Sequence, residues 1–532
     1  MRPDHTAWPK TADGLPSEPA AATEPAVSWL ARAPVVLGLI GLYLIIHFTL
    51  RLFLSPTLGL DDAEQILFAQ QWDFGYRFRQ PPLFTWLLMP VIELVGPGLL
   101  AINILRYGLL ALTFVPFYLT ARLCFRDARM AGLAVFSFAL IYVFAYYAHH
   151  DLTHTTALGA LIAIALYAFV RLALKPDFGA YLLLGLVFGL GMLAKWNFIM
   201  LAIGLPLTCL ALPAWRHLVL TWKLLLAIIV MALATTPTAL WMLEHGQSVQ
   251  GVSNTILGSG DVIPSLPMML KGAGALGNSI LLFPLPFLPI FLLMFQKSFR
   301  AGLAIPEDPR HRTPPPSFFG WLTLIVLALH GLLIPIFGAI EFTERWLHPA
   351  LMALPLFLFG VLERGRPAGP KIASYLAIVA ILVAVSLGAR LYRYERGADD
   401  CGRCREFAPF ADLASDLRAK GFSTGTIIAY GMHIGGNFKM LFAESRVIDP
   451  AFPMALWPAS TTDGDCLLVW RSDIAHADVH RDRLNMFARR ELGLPKTAPS
   501  DEGRLEAPVI GSSDRRYALG FELYKETVGG CR

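Results

Sequence analysis

Residues 60–87 read LDDAEQILFAQQWDFGYRFRQPPLFTWL and follow directly on the first apolar run of membrane-spanning length. Asp61, Asp62 and Glu64 open the stretch, Leu60, Ala63, Leu67 and Phe68 recur at helical spacing, and Tyr76, Arg77, Pro81-Pro82 and Trp86 close it. A segment of this kind lies along a membrane surface with its apolar face down and its carboxylates free. It is expected to form the floor of a reactive site at a water–lipid boundary.

Composition sets the solvent for the rest of the chain. At 532 residues, 55% hydrophobic and only 16% charged, the sequence is too apolar for an ordinary soluble globule and reads as a multi-pass membrane protein. Its net charge of +5 comes from dispersed Lys and Arg, with no basic run interleaved with aromatics, so no nucleic-acid partner is expected. Residues 1–33, rich in Pro, Ala, Thr and Glu, read as a disordered cytoplasmic tail. They do not read as a signal peptide, because the first apolar run starts only at Pro34 and is long enough to span.

Apolar stretches near the ~20 residues a bilayer requires fall at 34–54, 99–121, 130–148, 152–171, 180–194, 197–213, 221–243, 271–295, 318–339, 346–362 and 372–391. That predicts about eleven transmembrane helices. Residues 83–97 are apolar but short and broken by Pro90, Glu93, Gly96 and Pro97, which suits a re-entrant or interfacial helix.

Loop charge tests this division. Arg122, Arg126 and Arg129 share one loop, and Arg171 with Lys175, Arg216 with Lys223, Lys297 with Arg300, Arg310 and Arg312, and Arg364 with Arg366 and Lys371 occupy alternate later ones. The positive-inside rule makes those loops cytoplasmic. The loops between them carry acid: Asp61, Asp62, Glu64 and Asp73, then Asp151, then Glu244 and Asp261, then Glu341 and Glu344. These are expected to face outward, as is everything after about Tyr392.

The chain from 392 to 532 changes composition and predicts a soluble α/β domain. A helical stretch from Phe407 to Lys420 leads to strand-like runs at Gly425–Tyr430, Arg446–Asp449, Cys466–Arg471 and Tyr517–Leu523. Cys401, Cys404, Cys466 and Cys531 form an even set whose expected fate in an oxidising compartment is disulfide formation, with the pairing open. Gly272, Gly274 and Gly277 match a dinucleotide fingerprint in spacing, but no strand precedes them. Like Gly185 and Gly189, they are expected to allow close helix packing.

In this topology Asp61, Asp62, Asp151, Lys195, Arg106 and Arg345 all stand at the outward ends of spans or in the loops joining them. Taken singly, each acid suits a solvated loop, and Lys195 or Arg345 suits a cation snorkelling to the interface. Their joint placement on one side favours a polar ligand. A sugar carried on a polyprenyl phosphate presents just such a ligand: a carboxylate can take the acceptor's hydroxyl proton, and cations can hold the departing phosphate.

The pattern Asp61-Asp62, Gly75-Tyr76, Pro81-Pro82-Leu83 and Trp86 resembles the opening of the GT-C membrane glycosyltransferases, of the protein mannosyltransferase and aminoarabinose–lipid A transferase type. Arg106, Asp151, the GLGMLA run ending at Lys195, and Arg345-Trp-Leu-His348-Pro349 continue the resemblance in order across residues 34 to 391. It implies a GT-C domain over 34–391, with residues 55–98 as the active-site loop, followed by a periplasmic α/β domain in a bacterial inner-membrane protein. It implies Asp61 as base, Asp62 and Asp151 orienting it or touching the sugar, and Lys195, Arg345 and Arg106 as ligands of the donor phosphate. Tyr76, His150, His154 and His348 are expected to contact substrate. Arg79-Gln80 departs from the Glu-Lys of the aminoarabinose transferases, so donor identity is not inherited.

The implied partners are a polyprenyl-phosphate sugar, an envelope lipid or glycan such as lipid A or the core, and membrane lipid. The expected outcome at the anomeric carbon is inversion. No cofactor is required by this reading. His150 and His154, four apart with Asp151 beside them, nevertheless pose a divalent-metal alternative if one helix carries both. The competing readings are a flippase for lipid-linked sugars and a non-catalytic envelope scaffold. Against the flippase, the sequence shows no internal repeat and no paired broken spans.

Overall fold

The computed structural model describes residues 27–77, 80–245, 264–307, 312–400, 405–452, 457–458, 464–512, 514–525 and 531, without the side chains of 397–400. Each expected apolar segment coincides with a helix or a succession of shorter helices. Seven of the described helices are long and apolar enough to cross a membrane, or eight counting the bent pair Glu344–Leu351 and Leu354–Arg364. The protein is therefore a multi-pass membrane protein. The 83–97 segment is a separate helix, Leu83–Val95, with Pro90 inside it.

Besides the bent 346–362 segment, two expected spans are broken and meet each other, whereas the sequence shows no paired broken spans. The 130–148 run forms helix Ala128–Phe136 and a turn over Ser137–Leu140, then extends at Ile141 before Tyr142–Ala145. The 271–295 run divides into Leu266–Leu282 and Phe287–Ala304, because Pro284 and Pro286 remove backbone donors at the junction. The two breaks face each other: Ile141 bridges Pro286, and Tyr142 N–H donates to the Leu285 carbonyl at 3.2 Å. Non-helical backbone at such a depth needs a protein partner, and each break supplies the other's.

The basic loops gather at one end. Arg126, Arg129, Arg364 and Arg366 line a common cavity of about 860 Å³ with Glu307 and Glu363. Asp61, Asp62, Asp151, Lys195 and Arg345 cluster near the start of helix Leu99–Cys124, where Arg106 pairs with Asp62, while the far end of that helix leads to Arg126. Residues 27–32, expected to be disordered, include a 3-10 turn at Ser28–Ala31, and residues 1–26 lie outside the described chain. Where Gly185 faces helix Lys223–Glu244, a Cβ would come within 2.5 Å of the Ala227 carbonyl, so the small residue does permit close packing.

The last helix of membrane-spanning length, Gly369–Asp400, runs past the expected span and leads into a five-stranded sheet at the acid-bearing end. Its strands are β1 (Gly425–Ala429), β2 (Arg446–Ile448), β3 (Asp465–Arg471), β4 (Asp501–Pro508) and β5 (Arg516–Tyr524), in the order β2-β1-β3-β5-β4. β1 is parallel to β2 and β3, while β5 is antiparallel to β3 and β4. β4 was not expected, because DEGRLEAP has neither β-branched residues nor clean alternation. Cys466 and Cys531 form a disulfide, and Cys401 and Cys404 lie outside the described residues.

Candidate active site

Helix Leu60–Phe68 carries Asp61 and Asp62 in its first turn, where unpaired backbone N–H groups favour negative charge. Its carboxylates are not free, contrary to the surface-helix expectation: Asp62 and Glu64 are buried. The sheet domain packs on this helix at Ala63 and Leu67. Helix Met432–Leu441 crosses so closely that a Cβ on Gly436 would stand 2.2 Å from the Ala63 carbonyl, which only glycine permits. Asn437 fixes the approach, its Oδ1 accepting from Leu58 N–H at 2.9 Å, and His433 Nε2 lies 3.1 Å from the Leu58 carbonyl.

Asp62 pairs with Arg106 Nη2 in the interior, and Arg106 Nη1 donates to Asn103 Oδ1 at 3.2 Å. Glu64 accepts from Arg77 at 2.6 Å. Asp61 is half-buried and has Lys195, Arg345 and Arg106 as its neighbouring cations. Burial and the Asp62 charge hold the Asp61 carboxyl above its ordinary range, while Arg345 and Lys195 pull it back. Asp151 is raised further by burial and by Asp61 and Asp62, and its Oδ1 has no hydrogen-bond partner among the described residues. The Asp62 and Asp151 carboxylates converge beside Gly59, each 3.7 Å from where its Cβ would stand.

Lys195 leaves helix Phe178–Ala194 in extended conformation and donates from Nζ to Thr155 Oγ1 at 2.7 Å. Burial and the Arg345 charge push its ammonium down to about 7, opposed by Asp61. His154 links this lysine to the acid helix: one ring nitrogen bonds Gln65 at 3.0 Å, and the other donates to the Ala194 carbonyl at 3.3 Å. Thr85 donates to Gln65 Oε1 at 2.6 Å and completes the strut. Arg345 sits in the turn Glu344–Leu347. Its carbonyl accepts from His348 Nδ1 at 2.7 Å, and the Trp346 carbonyl accepts from Asn197 at 3.0 Å. His348 packs against Phe144 and Phe283, one from each broken span.

The site therefore collects Asp61, Asp62, Asp151, Lys195, Arg345 and Arg106, and three expectations change. Tyr76 is buried, donates to the Gln71 carbonyl and packs on Phe68, so it belongs to the core beneath the sheet domain. His154 is a brace with both ring nitrogens engaged with protein, and His348 is held to the Arg345 carbonyl through Nδ1. His150 does not share a helix face with His154, because Leu152, at φ 71°, starts the helix only at Thr153. Among the described residues no group of three His, Cys, Asp or Glu side chains is arranged to hold a metal ion. Gln65, Thr85, Thr155 and Asn197 went unnoticed in the sequence, where uncharged polar residues inside apolar helices carry no spacing signal. The Arg79 departure lies outside the described residues.

Residues 79–241 match the family model of dolichyl-phosphate-mannose-protein mannosyltransferases. Over 91% of this chain and 96% of its own length, the lipopolysaccharide core galacturonosyltransferase RgtA of Rhizobium johnstonii is 29% identical. RgtB of the same organism is 27% identical over 93% and 97%. The chain is a membrane glycosyltransferase that resembles the GT-C type. Its fold is similar to that of ArnT from Cupriavidus metallidurans bound to undecaprenyl phosphate, with a TM-score of 0.57 at 14% identity, covering 92% of this transferase and 98% of ArnT. The likeness extends through the sheet domain, so the transferase carries that domain as part of its architecture.

Proposed function

We propose that this transferase moves a sugar from a polyprenyl-phosphate donor to a lipid or glycan of the bacterial envelope, in the lipid A or core region, at the periplasmic face of the inner membrane. The relatives named for lipopolysaccharide core transfer support the acceptor class, and the undecaprenyl phosphate in the ArnT structure supports the carrier. The basic loops at the end opposite the site support a cytoplasmic placement for that end, with residues 34–391 as the catalytic domain and the 392–532 domain periplasmic.

One observation carries the reading: Asp61, a carboxyl in the first turn of its helix, has Lys195 and Arg345 as its neighbouring cations. In the proposed step Asp61 accepts the proton of the acceptor hydroxyl as its oxygen bonds to the anomeric carbon. The anomeric carbon–phosphate oxygen bond breaks, and the carrier phosphate leaves with both electrons onto Lys195 and Arg345. A single displacement inverts the anomeric carbon. Arg106, engaged with Asp62, is assigned to holding the acid pair and not to the donor phosphate. These cations supply the charge a divalent ion would bring, so chelation is expected to leave turnover unchanged.

The test is incubation of purified protein with a radiolabelled polyprenyl-phosphate sugar and envelope lipid extract. Label in a new covalent product supports transfer. Label that changes only its side of a proteoliposome identifies a flippase, and label that does neither identifies a scaffold.

A further inference from the structure

Away from Lys195, between helices Ala33–Leu54 and Gly369–Asp400, runs an apolar groove of about 660 Å³. Ile40, Tyr43 and His47 line one wall, Leu376 and Val383 the other, and Phe138 the back. Arg51 stands one turn beyond His47, and Arg390 and Arg393 stand beyond the other wall. These arginines meet around a void of about 30 Å³ that Tyr146, His150 and Glu406 also line.

Arg51 and Arg390 are buried, with only 3% and 4% of their surface exposed. Their hydrogen-bond partners are neutral. Arg51 donates to the Ser55 and Thr57 carbonyls at 2.9 and 3.0 Å, and Arg390 donates to His47 Nδ1 at 2.8 Å and to the His149 carbonyl at 3.3 Å. Among the described residues no carboxylate forms an ion pair with either. Glu406 is the local acid, 3.8 Å from the more exposed Arg393, which also donates to Tyr146 Oη at 3.3 Å. Three cations thus share the void with one carboxylate, Glu406, while Asp62 acts on Arg51 from the acid pair, and ionised groups at the end of two membrane helices call for a counter-charge.

The unpaired atoms have the same polarity. Arg51 Nε, a donor, has no partner among the described residues. Because Arg390 donates into His47 Nδ1, the proton of the neutral ring lies on Nε2, which is also unpaired in a ring that lines the groove. Buried donors of this kind call for acceptor oxygens. A groove for a hydrocarbon chain, capped by arginines and orphan donors, has the complementarity of a phosphate-bearing lipid.

The side of the site selects which lipid. Lys195 and Arg345 bear on Asp61, whereas Arg51 bears on Asp62 and Glu406. Two anions can therefore approach the acid pair from different directions. We propose that the groove and its arginine cap anchor the acceptor, with an acyl chain between the two helices and phosphate oxygens on Arg51, Arg390 and Arg393, so that the sugar headgroup extends toward Asp61. This rests on the reading of the chain as a transferase to a phosphorylated envelope lipid.

The test is native mass spectrometry of the full chain with bis-phosphorylated hexa-acyl lipid A, phosphatidylglycerol or undecaprenyl phosphate as probe. Wild type is expected to retain lipid A over phosphatidylglycerol. Ala380→Phe, which fills the groove from its exposed wall, and Arg393→Gln are each expected to lower lipid A retention by roughly tenfold while leaving undecaprenyl phosphate unchanged. Lys195→Gln is expected to show the reverse. In kinetics Ala380→Phe raises KM for the acylated acceptor and not for its deacylated, still phosphorylated saccharide, whereas Arg393→Gln raises KM for both. Loss of undecaprenyl phosphate in the groove variants would reassign the groove to the donor carrier, and loss of phosphatidylglycerol alone would make it a structural lipid site. Unchanged retention in both variants would overturn the proposal, whereas retention without transfer by wild type would count against the functional reading alone.

Discussion

Arg106 reaches across from helix Leu99–Cys124 to pair with Asp62, one residue along from Asp61, with both side chains sealed from solvent. Breaking a buried pair by removing one partner typically costs about 3–5 kcal/mol, because the other charge is left uncompensated. Arg106→Gln is therefore expected to lower the thermal midpoint of the detergent-solubilised protein and to abolish transfer. Arg106→Met combined with Asp62→Asn is expected to recover the midpoint while activity stays lost. Recovery of both would show that the pair has no part in the reaction.

The raised Asp61 carboxyl and the lowered Lys195 ammonium set a pH dependence. The base must be deprotonated, so kcat/KM falls on the acid side at a pH above the ordinary carboxylate range. The ammonium must be charged, so kcat/KM falls again as pH rises through about 7. Bound phosphate stabilises the ammonium, so the alkaline limb of kcat is expected to lie higher than that of kcat/KM. Lys195→Arg removes that limb, and an unchanged profile in this variant would assign the limb to another group.

Gln65, His154 and the Ala194 carbonyl form a chain from the acid helix to the lysine. Gln65→Leu leaves a buried ring nitrogen and Thr85 unpaired, a penalty of about 1–3 kcal/mol. The expected result is a drop in kcat of roughly tenfold or more with KM for donor little changed, since geometry is lost and not a ligand contact. A rise in donor KM alone would place Gln65 against the substrate.

Much of the fold was legible because bilayer length and loop charge are strong signals, and the acid pair because two adjacent carboxylates follow directly on a span. Ile141 and Pro286 were not: their spans are apolar throughout, and only the tertiary bridge shows where each helix breaks. Tyr76 was misassigned because a tyrosine in an aromatic loop looks the same whether it meets substrate or packs under a domain. The arginine cap escaped notice because Arg51 and Arg390 lie more than 300 residues apart in sequence, each resembling an ordinary snorkelling cation.

The sheet domain holds the acid helix through Gly436, where a side chain has no room. Gly436→Ala is expected to separate the two elements and to lower turnover more than donor retention, measured by rate and by native mass spectrometry on the same preparation. Gly503, where a Cβ would only touch the Phe521 ring at an ordinary 3.5 Å, is the control position. Equal turnover for Gly436→Ala and Gly503→Ala would show that the domain does not position the acids.

The most direct measurement is single-turnover transfer from labelled polyprenyl-phosphate sugar by Asp61→Asn, alongside donor retention by the same protein. General-base loss predicts a fall of at least roughly 10²–10⁴-fold in rate with donor still bound. Transfer near the wild-type rate, with the variant folded and loaded with donor, would contradict Asp61 as the base.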